Sequence, residues 1–523
     1  MSLFRKFASV GSATMASRLL GFVREALIAF ALGTGPVADA FYAAFRFPNL
    51  FRRLFAEGAF NSAFIPLFAK ELEGGGAEAA EVFARQVLSV LLAILIALSA
   101  VALIFMPFLV STVIAPKFTE IPEKFELTVY LTRIMFPYLT AMSLVAMFSG
   151  ILNSYRHYFL AAISPVVLNV VLVVVLVAAI KLGADEGSIG ISMAFGVTVS
   201  GLLQLVLLVY GVHTTGFRIR IAMPRLTPPV RRLLWLALPA AITGGITQLN
   251  LLVGQIIISG DNGAIATINY ADRILQLPLG VIGIAVGVVL LPELSRALKE
   301  NDAQSVQTLQ NNSLEFGLGL TVPAAVAFAI IPAPIVALLF ERGEFTREST
   351  LITSTVLAAF AGGLPAFVLN KVFTPSFYAR ENMRTPMWFA GLNAAINVTG
   401  SLILFPLIGV MGVAVATSLA GWANALALGG VLYRGKELRP TSTTWRRLAL
   451  IVAGSALMGV CLLVVMNLMA TTLLDASLLT RIVLMAAVIG GGALIYFAFV
   501  FATGAMDRQQ MLSMVRRTPE KQV

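Results

Sequence analysis

Residues 39–68, DAFYAAFRFPNLFRRLFAEGAFNSAFIPLF, are apolar enough to sit in a membrane yet carry Asp39, Arg46, Arg52, Arg53 and Glu57. A charge at the bilayer centre costs on the order of 3 kcal/mol on insertion scales, so such groups face a hydrated cavity or a partner. Asp39, Arg46 and Arg53 follow at heptad spacing, Glu57 returns to the Asp39 direction, and Asn49 lies about 80° away. Arg52 points elsewhere unless Pro48 kinks the helix. Residues 13–25, ATMASRLLGFVRE, repeat the theme. On an ideal helix Thr14, Ser17, Arg18, Arg24 and Glu25 fall within an arc of about 120°, opposite Met15, Leu19, Leu20 and Phe22. A third stretch, NYADRILQLP at 269–278, adds Asp272, Arg273 and Gln276. Gathered at one cavity, Arg18, Arg24, Arg46, Arg52, Arg53 and Arg273 outweigh Glu25, Asp39, Glu57 and Asp272. Guanidinium groups hold phosphate through paired N–H bonds. The chemistry these residues suit is recognition of an anionic, phosphate-bearing substrate in a water-filled pocket.

The elements that must position them are membrane helices. Of 523 residues 58% are hydrophobic and 12% charged, with a mean hydropathy of +0.90, where a soluble domain carries roughly a quarter charged residues. The fold class is an all-α polytopic membrane protein. About fourteen spans of some 20 residues are expected, near 9–32, 37–68, 83–111, 127–152, 158–181, 189–212, 231–259, 264–295, 313–340, 350–378, 385–407, 409–433, 448–472 and 478–503. Arg5 and Lys6 lead into an uncleaved first span rather than a signal peptide, since the run after them is short, polar and continues into Arg18. Loops on the side of the termini hold most of the Lys and Arg, including Arg218, Arg220, Arg225, Arg231, Arg232, Arg446 and Arg447. The opposite loops hold Lys117, Lys124, Lys181, Arg342, Arg347 and Arg481. This bias predicts cytoplasmic termini, and topology with anionic lipid headgroups accounts for the net charge of +11 without nucleic acid. A single cysteine, Cys461, excludes an internal disulfide, and His157 with His213 offers no metal cluster. There is no nucleotide-binding loop or catalytic constellation, so the chain reads as a transporter rather than an enzyme.

An internal repeat is legible. LNVV at 168–171 echoes INVT at 396–399, IGISMAFG at 189–196 echoes MGVAVATS at 411–418, and FYAAFRFPN at 41–49 is answered more weakly by INYADRILQLP at 268–278. Two six-helix lobes, 1–215 and 216–440, are expected with the substrate site between them, followed by two further helices and a tail in 441–523. Asn169, Asn393 and Asn397 suit either helix pairing through hydrogen bonds or, for Asn393 and Asn397, an ion site. Arg133 and Lys371, near span ends, suit anchoring, with Lys371 a secondary cavity candidate beside Arg46, Asn169 and Gln276.

Four stretches carry a specific resemblance: 13–25, ADAFYAAFRFPNLFRRLFAEGAFNSAFIP at 38–66, YADRILQLPLGVIGIAVGVVLLPELS at 270–295 and KVFTPSFYARENMRTP at 371–386. They resemble the MurJ (MviN) family of lipid II flippases, within the superfamily of multidrug and polysaccharide exporters, and the similarity runs essentially end to end. The resemblance implies a flippase for the lipid-linked peptidoglycan precursor in the bacterial inner membrane, working by alternating access of two lobes around a cationic cavity. It also implies that helices 13 and 14 form a groove for the polyprenyl tail. Positions matching the family's functional groups are Ser17, Arg18, Arg24, Asp39, Asn49, Arg52, Glu57 and Arg273; Gln276 departs from members with glutamate there. On this reading Ser17, Arg18, Arg24, Asn49, Arg52, Arg53 and Arg273 bind substrate, and Glu25, Asp39, Glu57 and Asp272 pair charges at gates.

No cofactor is expected; the membrane potential or a coupling ion supplies the driving force. The partners expected are lipid II, membrane lipids and the proteins of cell-wall synthesis and division, around a monomeric transporter. A flippase for another polyprenyl-linked glycan would meet the same physical demands. A multidrug or organic-cation antiporter would favour acidic and aromatic groups over arginine, and a membrane scaffold would not need buried arginine in both lobes.

Overall fold

The computed structural model describes residues 3–56, 59–285, 290–475 and 477–506, and every regular element among them is helical. In chain order these are α1 (Leu3–Leu32), α2 (Pro36–Ala56), α3 (Ala59–Ile104), α4 (Met106–Leu109), α5 (Pro122–Met135), α6 (Pro137–Ser154), α7 (Tyr158–Lys181), α8 (Glu186–Thr214), α9 (Pro228–Ile258) and α10 (Ala264–Ala285). They continue as α11 (Leu291–Lys299), α12 (Ala303–Ile330), α13 (Pro332–Phe340), α14 (Arg347–Ala361), α15 (Leu364–Tyr378), α16 (Arg384–Ile408), α17 (Val410–Arg434), α18 (Ser442–Asp475) and α19 (Leu478–Ala502). Among the described residues nine helices are long and apolar enough to cross a membrane, or ten if α14 and α15, bent by 42°, are one span. α2 is not among them because Asp39, Arg46, Arg52 and Arg53 fall within its 21 residues.

Helix starts follow local chemistry. Asp185 and Asp302 cap α8 and α12 by accepting the N–H of Ser188 and Ser305, as short acceptor side chains do at helix N-termini. Several expected spans are divided, mostly at proline. Of the expected span 37–68, residues 37–56 fall in α2 and residues 59–68 in α3, which is broken at Gly76 (φ 72°, ψ −170°). Span 83–111 is interrupted before Pro107, 127–152 before Pro137 and 313–340 before Pro332, each proline removing a backbone donor. Pro107 leaves the carbonyl of Leu103, four residues earlier, without its helical partner. Arg133 Nε donates to that carbonyl at 3.2 Å. The arginine read from sequence as an anchor therefore mends a broken helix.

Contacts divide the chain into two compact units, residues 1–266 with 342–345, and residues 267–341 with 346–523. The sequence repeat places its boundary at 215 instead; α9, the first helix of the second repeat, packs along α3 in the first unit. Within that unit α7 packs on α8, and within the second unit their repeat equivalents α16 and α17 pack on each other.

The first unit also contains an unusually close meeting of backbones. Gly33, Gly263 and Gly343 all have positive φ (54°, 79° and 59°), a region that glycine enters freely. A Cβ on Gly33 would lie 2.3 Å from the Glu344 carbonyl oxygen, one on Gly343 2.3 Å from that of Phe30, and one on Gly263 2.4 Å from that of Thr34. The Glu344 N–H donates to the Phe30 oxygen at 2.9 Å. Glycine is required here for conformation and for space. Gly216 (φ 81°) has only the first constraint, with nothing within 4 Å of a built Cβ. The expected outcome is that Gly216→Ala costs about 1–2 kcal/mol for a left-handed non-glycine residue, whereas Gly343→Ala costs more. Equal shifts of the melting midpoint in detergent would show that the close approach carries no energy.

Candidate functional site

The polar arc of α1 meets α7 and α2 inside the first unit. Arg24 is 8% exposed. Its Nη1 donates to Asn169 Oδ1 on α7 at 2.9 Å, and its Nη2 pairs with Glu25. Glu25 accepts a second bond from the Tyr42 hydroxyl on α2 at 2.5 Å. Asn169 Nδ2 donates to the Ser17 carbonyl at 2.9 Å and approaches Ser17 Oγ at 3.3 Å. The Asn169 amide thus uses both ends, accepting from Arg24 and donating to Ser17, which fixes the guanidinium between α1 and α7. Arg24 Nε is buried with no acceptor among the described residues. Arg18, on the same helix, is exposed. α1 thus carries an exposed guanidinium and a fixed, buried one that is paired with Glu25.

Further along α2, Asn49 and Arg53 are half-buried, and Arg46 Nη1 lies 3.5 Å from the Leu251 carbonyl oxygen. Glu57 lies outside the described residues, as does the side chain of Arg52.

Asp39 sits apart from the arginines. It is fully buried and accepts from Lys124 Nζ at 2.8 Å, from the Gly263 N–H at 2.7 Å and from the Ala266 N–H at 2.9 Å. Lys124, counted in sequence as a loop cation, is instead 2% exposed near the start of α5. The signal that could have found it is helical: Lys124, Thr128, Leu131, Thr132 and Met135 recur at i, i+4, i+7, i+8 and i+11, and all are buried.

In the second unit, Gln276 donates to Asp272 one turn before it on α10, so the residue that departs from glutamate neutralises no charge but orients a carboxylate. Arg273 is half-buried. Lys371 is exposed, with Nζ 3.5 Å from the Leu279 carbonyl oxygen. Asn397 Oδ1 accepts from Thr417 on α17 at 3.1 Å and lies 3.5 Å from the Ser401 hydroxyl. That is the geometry of helix pairing, made of neutral groups. Asn393 lies one turn earlier on α16, half-buried. Among the described residues no group of three or more His, Cys, Asp or Glu could hold a metal ion. A pair that the sequence did not reveal joins α12 to α18: buried Glu315 accepts from Arg447 Nη1 at 2.9 Å.

The two C-terminal helices border an apolar pocket of about 190 Å³, lined by residues including Leu320, Pro323, Met458, Leu462, Gly492 and Tyr496. The Tyr496 hydroxyl donates to the Gly319 carbonyl at 2.5 Å, which leaves the ring as its apolar contribution. Gly454 and Gly459 serve close packing, since a Cβ would lie 2.7 Å from Phe499 and 2.9 Å from Val326, whereas Gly490 and Gly491 have nothing within 4 Å.

Comparison with known proteins fits this architecture. The family profile described as "Lipid II flippase MurJ" matches residues 28–484. A protein of Rhizobium meliloti (strain 1021) named "Probable lipid II flippase MurJ" is 51% identical over 523 residues, covering 100% of this chain and 97% of its own. The solved structure "Lipid II flippase MurJ, inward closed conformation" superimposes with a TM-score of 0.77 at 27% identity, over 94% of this chain and 98% of that one. An inward-facing multidrug resistance MATE transporter of the MOP superfamily shares the fold at 17% identity, with a TM-score of 0.65 over 83% of this chain and 99% of that one. The match spans the arginine-bearing helices of the first unit and the helices of the second alike. This chain is a multi-pass membrane protein and belongs to the MurJ family of lipid II flippases, which are transporters rather than enzymes.

Proposed function

We propose that this chain moves lipid II, the undecaprenyl-diphosphate-linked disaccharide peptide, from the cytoplasmic to the periplasmic leaflet of the bacterial inner membrane for peptidoglycan synthesis. The observation that carries the reading is Arg24, buried in α1, held at a defined angle by Asn169 and paired with Glu25, with its Nε left without an acceptor among the described residues. A cation fixed in this way in a chain of this family suits a diphosphate. Arg18, Asn49, Arg52, Arg53 and Arg273 complete a cationic cavity between lobes 1–215 and 216–440, which open to the two leaflets in turn. An inside-negative potential favours outward movement of an anion by about 2.3 kcal/mol per charge per 100 mV, and a coupling ion is the alternative source of drive. Both termini are cytoplasmic on this topology. Trp235, Trp388 and Trp445, exposed within the first eight residues of α9, α16 and α18, suit an interfacial aromatic belt. Cell-wall synthesis and division proteins are the partners this role requires, and the transporter acts as a monomer.

The polyprenyl chain cannot enter an arginine-lined cavity without forgoing roughly 0.8 kcal/mol per methylene. It travels in an apolar track along α18 and α19, to which the pocket beside Gly492 belongs.

Two outcomes test this reading in proteoliposomes loaded with lipid II. Arg24→Ala should lower flipping roughly 10- to 100-fold, the cost of one charge-assisted contact of about 1.5–3 kcal/mol. Arg24→Lys should also impair it, because the forked donor is lost. Wild-type rates for Arg24→Ala would remove that residue from the substrate path. For the tail, Gly492→Ala, whose Cβ would meet Leu462 and Met458 at 3.5 Å, should be tolerated. Gly492→Leu should fill the pocket and slow long-chain lipid II while sparing binding of a soluble headgroup analogue. Equal losses for both ligands would assign α18 and α19 to general packing.

A further inference from the structure

The buried Asp39 cluster contains a group with no part in the reading above. Asp39 lies on α2 and Lys124 on α5, both inside the first repeat, 1–215. The other donors to Asp39, the N–H groups of Gly263 and Ala266, lie at the start of α10, inside the second repeat. First-turn N–H groups have no partner within their own helix, and Asp39 serves two donors there from another element. Lys124 Nζ divides its three protons among Asp39 Oδ2 at 2.8 Å, Asn262 Oδ1 at 3.0 Å and the face of Phe118, whose centroid is 4.1 Å away. It is thus the one cation among the described residues seen to neutralise Asp39, and it also reaches Asn262, two residues before the helix that Asp39 caps.

These contacts differ in what they join. Asp39 to Gly263, Asp39 to Ala266 and Lys124 to Asn262 cross from one repeat to the other, and must break if α10 moves away from α2 and α5. The Asp39–Lys124 pair lies within one repeat and survives such a movement. A carboxylate left alone in a dry site would be strongly disfavoured, and so would the ammonium. Held together, the two charges can release the α10 N-terminus and take it back.

We propose that Lys124 is a positioning residue of the transport cycle: it keeps Asp39 charged and aimed at the N-terminus of α10, making that contact a reversible latch. This rests on the flippase reading, with the latch at the end of α2 that the charge bias places at the periplasm.

The test uses the full chain in proteoliposomes, with Cys461→Ala removing the native thiol and Thr267→Cys, at a buried position on α10, as reporter for a membrane-impermeant maleimide. In this background Lys124→Met should raise labelling at least fivefold and lower lipid II flipping at least tenfold, with binding of a soluble headgroup analogue unchanged within twofold. Adding Asp39→Asn to Lys124→Met removes the stranded charge and should return labelling to within twofold of background. A lesion that merely loosened packing would not be reversed by a second buried substitution. The proposal is overturned if Lys124→Met labels and flips as the parent does, or if the double variant labels as heavily as the single. Failure of the parent protein to flip lipid II would refute the flippase reading, while the labelling pattern still decides the latch.

Discussion

The fully buried Asp39 carboxylate is the constraint around which the first unit is organised. Three donors from two other segments converge on it, and beside it three loops approach backbone to backbone through Gly33, Gly263 and Gly343. A carboxylate with no water needs every lone pair answered, and a lone partner removed from such a cluster typically costs about 3–5 kcal/mol. The glycines matter because the chain that brings the Gly263 N–H to Asp39 also passes so close to Thr34 that a Cβ on Gly263 would lie 2.4 Å from the Thr34 carbonyl oxygen. Electrostatics and steric permission therefore act on the same few residues.

The same rule governs the other intramembrane charges. Arg24 is balanced by Glu25, which is in turn steadied by Tyr42; Glu315 is balanced by Arg447; and Arg133 spends its Nε on a carbonyl freed by Pro107. Each charge is thus either paired or set to repair a backbone defect, which is how a low-dielectric surrounding tolerates it. Arg18 differs in being exposed on the helix that also carries the restrained Arg24. One helix so carries both a restrained guanidinium and an exposed one.

The C-terminal helices present the opposite kind of surface. α12, α18 and α19 line an apolar pocket and hide its one phenolic hydroxyl against Gly319. Their small residues divide by environment: Gly454 and Gly459 bring helices together, and Gly490 and Gly491 leave open surface.

Sequence by itself determined the membrane class, the helical fold, the family and the groups that carry charge into the bilayer, because hydropathy, arginine in apolar runs and the motif at 38–66 are local properties of the chain. It also grouped Ser17, Arg24 and Glu25 correctly, since helical periodicity fixes which side chains share a face. Only the tertiary structure decided partners. Asn169 joins Arg24 from a helix 145 residues away, and Tyr42 joins Glu25 from the next helix. Asp39, expected among arginines, is answered by Lys124, because α5 begins five residues earlier than hydropathy suggested and so carries a cation into the interior. Helix ends were equally illegible: spans expected to be continuous divide at Pro107, Pro137 and Pro332, since hydropathy averages over a break that a single missing N–H creates. Contacts between residues far apart in the chain depend on which faces meet, and no local pattern encodes that.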